Sequence, residues 1–417
     1  MNPEPDHALA ERLFDRLRQM SFDGVGITRD TYGEGEQKAH DLVAEVAREK
    51  GFLVDRDAAL NLYVTMPGTD RSAKVAMTGS HLDSVPRGGN FDGAAGVVSG
   101  LAVLSGWREA GFTPNADTTV MAIRAEESSW FPVSYLGSRA AFGVLPAEAM
   151  EAPRIDTQRP FSDYLATLGG APDALARGEA QLDPKAIACF IEVHIEQGPV
   201  LEDAGEPVAL VTGIRGSFRY RSGHVTGRYA HSGATPRAHR RDTVLALASL
   251  VTRLSEYWTA LEAEGRDLAV TFGRFATDPE EADFAKVPGR VDFSLDVRSA
   301  EVETLARVEE RLHAHVAEIE AASGVAFHLG PRTGSEPALM DEALVARLRC
   351  AAGTLGASPR LMACGAGHDS AVFAREGVPT AMIFVRNANG SHNPEEAMRL
   401  DDFAIATRLL GRTLADV

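Results

Sequence analysis

Histidine and carboxylate side chains occur close together in several short segments of this 417-residue chain. The first such segment is His81-Leu82-Asp83, which directly follows the apolar stretch Lys74–Thr78. A neutral imidazole and a carboxylate supply nitrogen and oxygen ligands that suit Zn, Mn, Co or Ni. Because a lone His-x-Asp pair is more often a hydrogen-bonded structural pair, this segment alone leaves both interpretations open.

A glycine-rich segment containing Asp92, Gly88-Gly89-Asn90-Phe91-Asp92-Gly93, follows shortly afterwards. Glycines at such a position can also hold phosphate groups. The segment has neither the Gly-x-x-x-x-Gly-Lys pattern nor a dinucleotide-binding fingerprint. Asp92 is therefore a further candidate metal ligand, and phosphate binding by this segment remains the alternative.

The same residue types recur after other apolar stretches. The pair Glu126-Glu127 follows Thr118–Ile123, His194 ends another apolar stretch, and His392 comes after Thr380–Val385. Two adjacent glutamates can divide labour, one binding a metal and the other activating water. Singly, the glutamates could be a solvated face and the histidines ordinary core or turn residues. Their recurrence favours a metal site.

The apolar stretches predict the strands that position these residues. Strands at Leu60–Thr65, Lys74–Thr78, Thr118–Ile123 and Ala186–Ile195 alternate with helical patterns such as Gly93–Ala110. Polar residues collect just after the strands, as they do at the carboxyl edge of an α/β sheet. An amphipathic helix that contains Leu9, Leu13 and Leu17 begins the chain.

The alternation of parallel-sheet strands and helices is interrupted near Gly213 and resumes over 342–415. Between them we predict helices and strands at 216–229, Asp242–Ala263, Leu268–Phe275, Arg290–Val297, Glu301–Ala322 and Val325–Leu329. We therefore expect an α/β catalytic domain with a mixed, mainly parallel sheet at 1–213 and 331–417, flanked by helices. We expect a smaller α+β (ferredoxin-like) domain to be inserted at 214–330. Hinges are expected at Gly213–Gly216 and Pro331–Pro337.

Composition excludes several classes of protein. The 42 Lys and Arg residues against 59 Asp and Glu give a net charge of −17, which disfavours nucleic acid and anionic membranes. The three cysteines are far apart and form no Cys-x-x-Cys pair, which disfavours a disulfide framework. The segment Met1–Asp6 is acidic where a signal peptide would be basic, and no apolar run of about 18 residues follows. We expect a cytoplasmic protein without membrane or nucleic-acid partners.

The motifs together resemble the hydantoinase/carbamoylase branch of the dinuclear metallopeptidase-type amidohydrolases. That branch includes N-carbamoyl-L-amino-acid hydrolases, allantoate amidohydrolases, ureidoglycolate amidohydrolases and β-ureidopropionases. The resemblance spans nearly the whole chain in motif order. It rests on His81-x-Asp83, Gly88–Gly93, Glu126-Glu127, His194–Gly198, Tyr229–Pro236, Gly365–Asp369 and Gly390-Ser391-His392.

The resemblance implies two divalent metal ions per subunit, drawn from Zn, Mn, Co or Ni. It implies that Asp92 bridges the two ions, with His81 and His194 completing one and Glu127 and His392 the other. Two ions in such sites are usually about 3.5–4 Å apart.

The resemblance also implies the remaining catalytic roles. Glu126 is the general base, and Asp83 hydrogen-bonds the far nitrogen of His81. The inserted domain at 214–330 is implied to be a lid and dimerisation domain, from which His231 reaches across the interface of a homodimer and stabilises the oxyanion. Substrate contacts are implied for Gln197, Arg298, Gly365 and Asn387, with Arg298 pairing with a substrate carboxylate.

The predicted activity is hydrolysis of a linear amide C–N bond in an N-carbamoyl compound that bears a carboxylate, foremost an N-carbamoyl-L-amino acid. Ala285 stands where such enzymes commonly carry asparagine, and the segment around Arg386 and Asn387 is one residue shorter than usual. The alternatives are an allantoate or ureidoglycolate amidohydrolase, and an N-acyl-amino-acid deacylase or peptidase. A non-catalytic binding protein on the same scaffold is a further alternative.

Overall fold

The structure is a computed structural model that describes residues 3–417. The first two residues of the acidic segment Met1–Asp6 lie outside the described part. Contacts divide the chain into two compact units. The first unit comprises the chain to Thr212 together with Leu339–Met362 and His368–Val417, and the second comprises Gly213–Ala338 and Ala363–Gly367.

A nine-stranded mixed sheet forms the centre of the first unit. Val75–His81 runs parallel to Thr118–Ile123 and to Ile187–Ile195, which in turn runs parallel to Thr380–Val385. The prediction of an α/β fold with parallel central strands is confirmed. The strands in order across the sheet are Leu53–Arg56, Leu62–Met66, Thr118–Ile123, Val75–His81, Ile187–Ile195, Thr380–Val385, Val208–Ile214 and Ala338–Leu339, and Arg360–Cys364 pairs with Val208–Ile214.

Burial on both faces explains why the central strands are almost continuously apolar. Every residue of Thr118–Ile123 and of Thr380–Val385 is buried, whereas the edge strand Leu53–Arg56 is largely exposed. Strands covered by helices on both sides lose the polar–apolar alternation of a half-exposed strand. The apolar runs in the sequence therefore mark the centre of the sheet.

Helices cover this sheet. The helix His7–Ser21 begins at Asp6, whose carboxylate accepts a hydrogen bond from the Leu9 amide, and it buries the predicted apolar face. The helix Ala94–Glu109 is buried along almost its whole length. The α-helices of the first unit are His7–Ser21, Glu34–Glu49, Ala94–Glu109, Leu136–Ala141, Phe161–Thr167, Pro172–Ala176, Val200–Ala204, Glu342–Thr354, Ser370–Arg375 and Leu400–Ala415, and a small ribbon pairs Asn387–Ala388 with Ala397–Met398.

The second unit is an antiparallel sheet packed against two helices, as predicted. Its strands in order are Ala326–His328, Gly216–Thr226, Arg290–Ser299 and Ala269–Thr277. The helices Thr243–Ala263 and Val302–Ser323 bury their apolar faces in a core that includes Phe218, Leu250, Phe293 and Leu312. A separate ribbon pairs Ala230–His231 with Lys286–Val287.

The segment Pro331–Pro337, predicted as a hinge, contains a strand. Arg332–Ser335 pairs antiparallel with Gly216–Thr226, with Arg332 opposite Tyr220. All side chains of this strand are exposed, so its sequence has no apolar alternation that would have predicted it. Backbone pairing with its neighbour, rather than side-chain burial, forms the strand.

Within residues 3–417, no helix combines the length and the apolar character that crossing a bilayer requires.

Candidate active site

The parallel strands bring the predicted metal ligands of the first unit to one edge of the sheet. His81 is the last residue of Val75–His81, and His194 lies near the end of the parallel strand Ile187–Ile195. Glu126 and Glu127 follow the end of the neighbouring strand Thr118–Ile123. Because parallel strands end at the same edge, residues far apart in sequence meet there.

Asp92 lies at the centre of this group. Its Oδ1 atom is 3.5 Å from Nε2 of His81 and 3.3 Å from Nε2 of His194. Its Oδ2 atom is 3.5 Å from Nε2 of His392, which is itself 3.2 Å from Oε1 of Glu127. The potential ligands thus form two groups of three that share Asp92.

The histidines turn their unprotonated nitrogens towards Asp92. Nδ1 of His81 lies 3.1 Å from the carbonyl oxygen of Asp83, and Nδ1 of His194 lies 2.9 Å from that of Ile195. A carbonyl oxygen can only accept, so each Nδ1 carries the proton and each Nε2 presents a lone pair. This is the tautomer that binds a metal through Nε2.

These residues fit a divalent cation. Oδ1 of Asp92 is buried and receives no hydrogen bond, although two imidazole nitrogens approach it. Lone pairs that face one another without a proton repel unless a cation lies between them. Ligand atoms about 2.1 Å from a shared tetrahedral ion lie about 3.4 Å apart, close to the distances around Asp92.

Asp83 connects His81 to the two glutamates. Its buried carboxylate accepts hydrogen bonds from the Thr31 hydroxyl at 2.6 Å and from the backbone amides of Glu126 and Glu127 at 3.2 and 3.3 Å. Its Oδ1 atom also lies 3.2 Å from Nδ1 of His81. One side chain therefore holds both the first histidine and the turn that carries the glutamates.

The site concentrates negative charge in a buried environment. Burial raises the pKa of the Glu126 carboxyl well above its usual range, and the charge of Glu127 raises it further, whereas His81 lowers it. The hydrogen bond with Glu127 raises the pKa of His392 to about 9. Cations placed among these groups would favour the ionised form of Glu126 that a general base requires.

One of the predicted substrate contacts, Gln197, lies beside Asp92 and is hydrogen-bonded to a second, Asn387. The side-chain amide of Gln197 donates to Oδ2 of Asp92 at 2.8 Å, and the Gln197 backbone amide donates to Oδ1 of Asn387 at 2.9 Å. Gln197 has a φ of 64°, an uncommon value for a residue with a side chain. The Gln197 side chain thus reaches Asp92 from an uncommon backbone conformation.

The other predicted residues, His231, Arg298 and Gly365, belong to the second unit. His231 is exposed, and its Nδ1 accepts hydrogen bonds from the amides of Gly233 and Ala234 at 3.1 and 3.2 Å. Its proton therefore resides on Nε2, which is free to donate.

Arg298 is held in one orientation within the second unit. It donates to the carbonyl oxygen of Gly365 through Nη1 at 3.0 Å, and to Asp296 through Nε and Nη2 at 3.0 and 2.9 Å. The guanidinium is thus fixed by two partners.

Sequence reasoning missed Ser391 and Glu396. The Ser391 hydroxyl contacts Oδ2 of Asp92 and Oε2 of Glu396, and Oε1 of Glu396 accepts hydrogen bonds from the amides of Phe91 and Asp92 at 2.8 and 3.2 Å. Glu396 therefore binds the backbone amides of Phe91 and Asp92 and, through Ser391, the Asp92 carboxylate. In the sequence, its only signal is its closeness to His392 in a polar turn.

A further polar group, to which the sequence assigned no role, lies beside His194. Glu192 accepts hydrogen bonds from Ser80 and Ser370, and the ring of His368 lies 4.3 Å from that of His194. Glu192 lies two positions before His194 in the strand, so the alternation of side chains places both on the same face.

Comparisons of sequence and structure identify known proteins that are similar to this chain. The sequence matches the peptidase family M20/M25/M40 over residues 77–416. It is 35% identical over 410 residues to an N-carbamoyl-L-amino acid amidohydrolase of Geobacillus stearothermophilus, covering 97% of each chain. It is 31% identical over 395 residues to an allantoate amidohydrolase of Escherichia coli K12, covering 93% of this chain and 92% of that one. A crystal structure of a hydantoinase/carbamoylase family amidase from Burkholderia multivorans is similar in fold, with a TM-score of 0.88 at 26% identity, covering 99% of this chain and 98% of that one.

Proposed function

The chain belongs to the peptidase family M20/M25/M40 and resembles its hydantoinase/carbamoylase amidases, and from this premise we propose that it hydrolyses a ureido C–N bond. The substrate is an N-carbamoyl compound that carries a carboxylate, foremost an N-carbamoyl-L-amino acid. The observation that carries the proposal is the convergence of histidines and Glu127 on the two oxygens of Asp92. The substrate class is inferred from two relatives named for their action on ureido compounds, an N-carbamoyl-L-amino acid amidohydrolase and an allantoate amidohydrolase.

Two divalent cations, Zn, Mn, Co or Ni, would be held at Asp92. His81 and His194 would complete one site, and Glu127 and His392 the other. When bound, such cations polarise a carbonyl oxygen and lower the pKa of water from about 15.7 to about 7.

Glu126 is the proposed general base. It takes a proton from the attacking water and delivers it to the leaving nitrogen, so that one carboxylate serves both halves of the reaction. Asp83 supports this role because its carboxylate accepts a hydrogen bond from the Glu126 backbone amide, which limits movement of the turn.

His231 is the proposed oxyanion donor. Hydrogen bonds from Gly233 and Ala234 to Nδ1 leave the proton on Nε2, from which it can bind the carbonyl oxygen as negative charge develops. We propose that it acts on the active site of a second subunit in a homodimer. Exposed apolar side chains of the second unit, Leu245 on a helix and Phe275 on the edge strand Ala269–Thr277, support such pairing.

Arg298 is the proposed partner of the substrate carboxylate, with Gln197, Gly365 and Asn387 as further contacts. Asp296 and Gly365 fix the guanidinium, which lowers the entropy cost of bidentate binding. Ala285, where related enzymes commonly carry asparagine, accepts a hydrogen bond from the backbone amide of Ser232 through its carbonyl oxygen and so contacts the residue that follows His231. Because the usual asparagine is replaced there, allantoate and ureidoglycolate should be tested beside the N-carbamoyl amino acids.

We further propose a cytoplasmic location, supported by the thiols of Cys189 and Cys350, which form no disulfide.

Ammonia and free-amine release from purified, Mn²⁺-loaded protein tests the proposal. The substrates are N-carbamoyl-L- and D-amino acids, N-carbamoyl-β-alanine, allantoate, ureidoglycolate and an N-acetyl amino acid. We expect chelator-sensitive cleavage of at least one ureido compound and little cleavage of the acetyl compound. Cleavage of the acetyl compound alone would favour a deacylase, and no cleavage by metal-loaded protein would favour a non-catalytic binding protein.

A further inference from the structure

Buried side chains accept the hydrogen bonds of the backbone amides in the turn that carries Glu126 and Glu127. The backbone amide of Arg124 donates to Oδ1 of Asn61 at 2.9 Å, and that of Ala125 donates to Oε1 of Glu36 at 2.9 Å. The next two amides donate to Asp83, as described above. Successive amides of residues 124–127 therefore each depend on a side-chain oxygen for their hydrogen bond.

Ala125 has an unfavourable backbone conformation. Its φ is 55°, in the left-handed region, and the residue is fully buried. For a residue with a Cβ atom this conformation costs about 1–2 kcal/mol, so the surrounding structure must hold it in place. On the opposite side, the carbonyl oxygen of Ala125 accepts a hydrogen bond from the amide of Leu136 at 3.0 Å.

Glu36 is fixed in the position that this turn requires. It lies in the first turn of the helix Glu34–Glu49 and has no exposed surface. Its Oε2 atom accepts hydrogen bonds from the Tyr32 amide at 2.6 Å and from Nη1 of Arg124 at 3.0 Å. With one oxygen anchored by these two donors, the other is aimed at Ala125.

A buried ion pair is a weak source of stability, because desolvation of both charges offsets their attraction. The pair of Glu36 and Arg124 is fully buried on both sides. The geometric consequence of the pair is specific, since it directs a carboxyl oxygen of Glu36 to the amide of the strained residue immediately before Glu126.

We propose that Glu36 is a positioning residue for hydrolysis: by binding the amide of Ala125 it holds the left-handed turn that aims Glu126 and Glu127. The inference rests on the proposed function for the roles of those two glutamates. Glu36 acts through Ala125 and is not itself a catalytic residue. It lies 89 residues from Ala125 in sequence.

The substitution Glu36→Asp tests this inference with little disturbance of charge. Aspartate keeps a negative charge near Arg124 but is shorter by one methylene, so it cannot hold both Arg124 and the Ala125 amide. We expect hydrogen exchange of the amides of 124–127 to accelerate at least tenfold, measured by mass spectrometry. We expect kcat per folded, metal-loaded subunit to fall at least tenfold, with KM changed less than twofold. Glu36→Gln is the second variant and should show the same direction.

Two further variants separate positioning from general stability. Glycine adopts a positive φ without the steric cost, so adding Ala125→Gly to Glu36→Asp should recover at least threefold of the lost kcat. The control is Gln37→Met, because Gln37 accepts a hydrogen bond from Nη2 of Arg124 at 2.6 Å, whereas the Ala125 amide donates to Glu36. This control should keep kcat within twofold of the original protein.

Unchanged exchange at 124–127 in Glu36→Asp would overturn the inference. So would an equal loss of kcat in Gln37→Met, or a double variant no faster than Glu36→Asp. If the unsubstituted protein cleaves no ureido compound, the proposed function fails, and the exchange measurement alone still decides whether Glu36 holds the turn.

Discussion

At the scale of single residues, Asp92 organises the site. Both of its oxygens face imidazole nitrogens, one receives no hydrogen bond, and the other is contacted by Gln197 and Ser391. A carboxylate so placed can be shared by two cations, and its neighbours determine which lone pairs remain for them. Glu126 stands outside both groups of ligands, which leaves it free for proton transfer.

The substitution Glu126→Gln separates catalysis from metal binding. Glutamine keeps the shape of the side chain but cannot accept and return a proton, so we expect kcat to fall by about 10²–10⁴-fold. Metal content by elemental analysis should remain unchanged. In the matched control Glu127→Gln, the adjacent residue is substituted and metal content should fall. Full turnover in Glu126→Gln would contradict the assignment of the base.

Asp83→Asn tests the role of the buried carboxylate behind His81. An amide group would place a donor against the backbone amides of Glu126 or Glu127, which already donate to Asp83. We expect metal affinity, measured by competition with a chromophoric chelator, to fall about 10–100-fold. The control Thr31→Val removes only the hydroxyl that donates to Asp83 and should weaken binding less. Equal affinities for Asp83→Asn and the original protein would refute this role.

At the scale of elements, the helix Ala94–Glu109 begins against His81, a proposed metal ligand. Gly93 precedes it with a φ of 65°, and a Cβ atom there would lie 2.4–2.5 Å from the imidazole atoms of His81. Only a residue without a side chain allows His81 and the start of this helix to approach so closely. The start of the buried helix thus depends on one glycine to leave room for the His81 ring.

Gly93→Ala should therefore disable the site, with Gly111→Ala as its control at the other end of the same helix. Gly111 has a φ of 68°, but a Cβ atom there would meet nothing within 4 Å. Each substitution incurs the cost of a left-handed alanine, about 1–2 kcal/mol, measurable by denaturant unfolding. Only Gly93→Ala should also lower metal content and activity. Normal metal binding by folded Gly93→Ala would be contrary to this explanation.

The elements and the histidines could be predicted because their signals are local. His81 and Glu126-Glu127 each follow an apolar run that forms a buried strand, and the fold prediction is confirmed. Glu36 and Glu396 could not be predicted, since they act on amides 89 and 305 residues away. The left-handed conformation of Ala125 also escaped prediction, because alanine gives no signal of a positive φ.

At the scale of the whole molecule, the proposed function divides its residues between two units. The proposed metal ligands and Glu126 belong to the first unit, and His231 and Arg298 to the second. If His231 serves the active site of a second subunit, as proposed, each active site needs residues from two copies of the chain.

Mixing two inactive variants tests this arrangement. Subunits with Glu126→Gln retain His231, and subunits with His231→Ala retain Glu126. A mixed dimer therefore contains one complete site if His231 acts on the partner subunit. We expect each variant alone to be nearly inactive, and the refolded mixture to recover activity approaching a quarter of the original. No recovery in mixtures that contain heterodimers by mass spectrometry would show that His231 does not act across subunits.

The most direct test of the central claim is a metal titration of chelator-treated protein. Mn²⁺ or Zn²⁺ is added in steps, and bound metal and ammonia release from the best ureido substrate are measured on the same samples. We predict negligible activity without metal and a rise that reaches its plateau at two bound ions per subunit. Full activity of the metal-free protein, or metal-loaded protein that cleaves no ureido compound, would contradict the account.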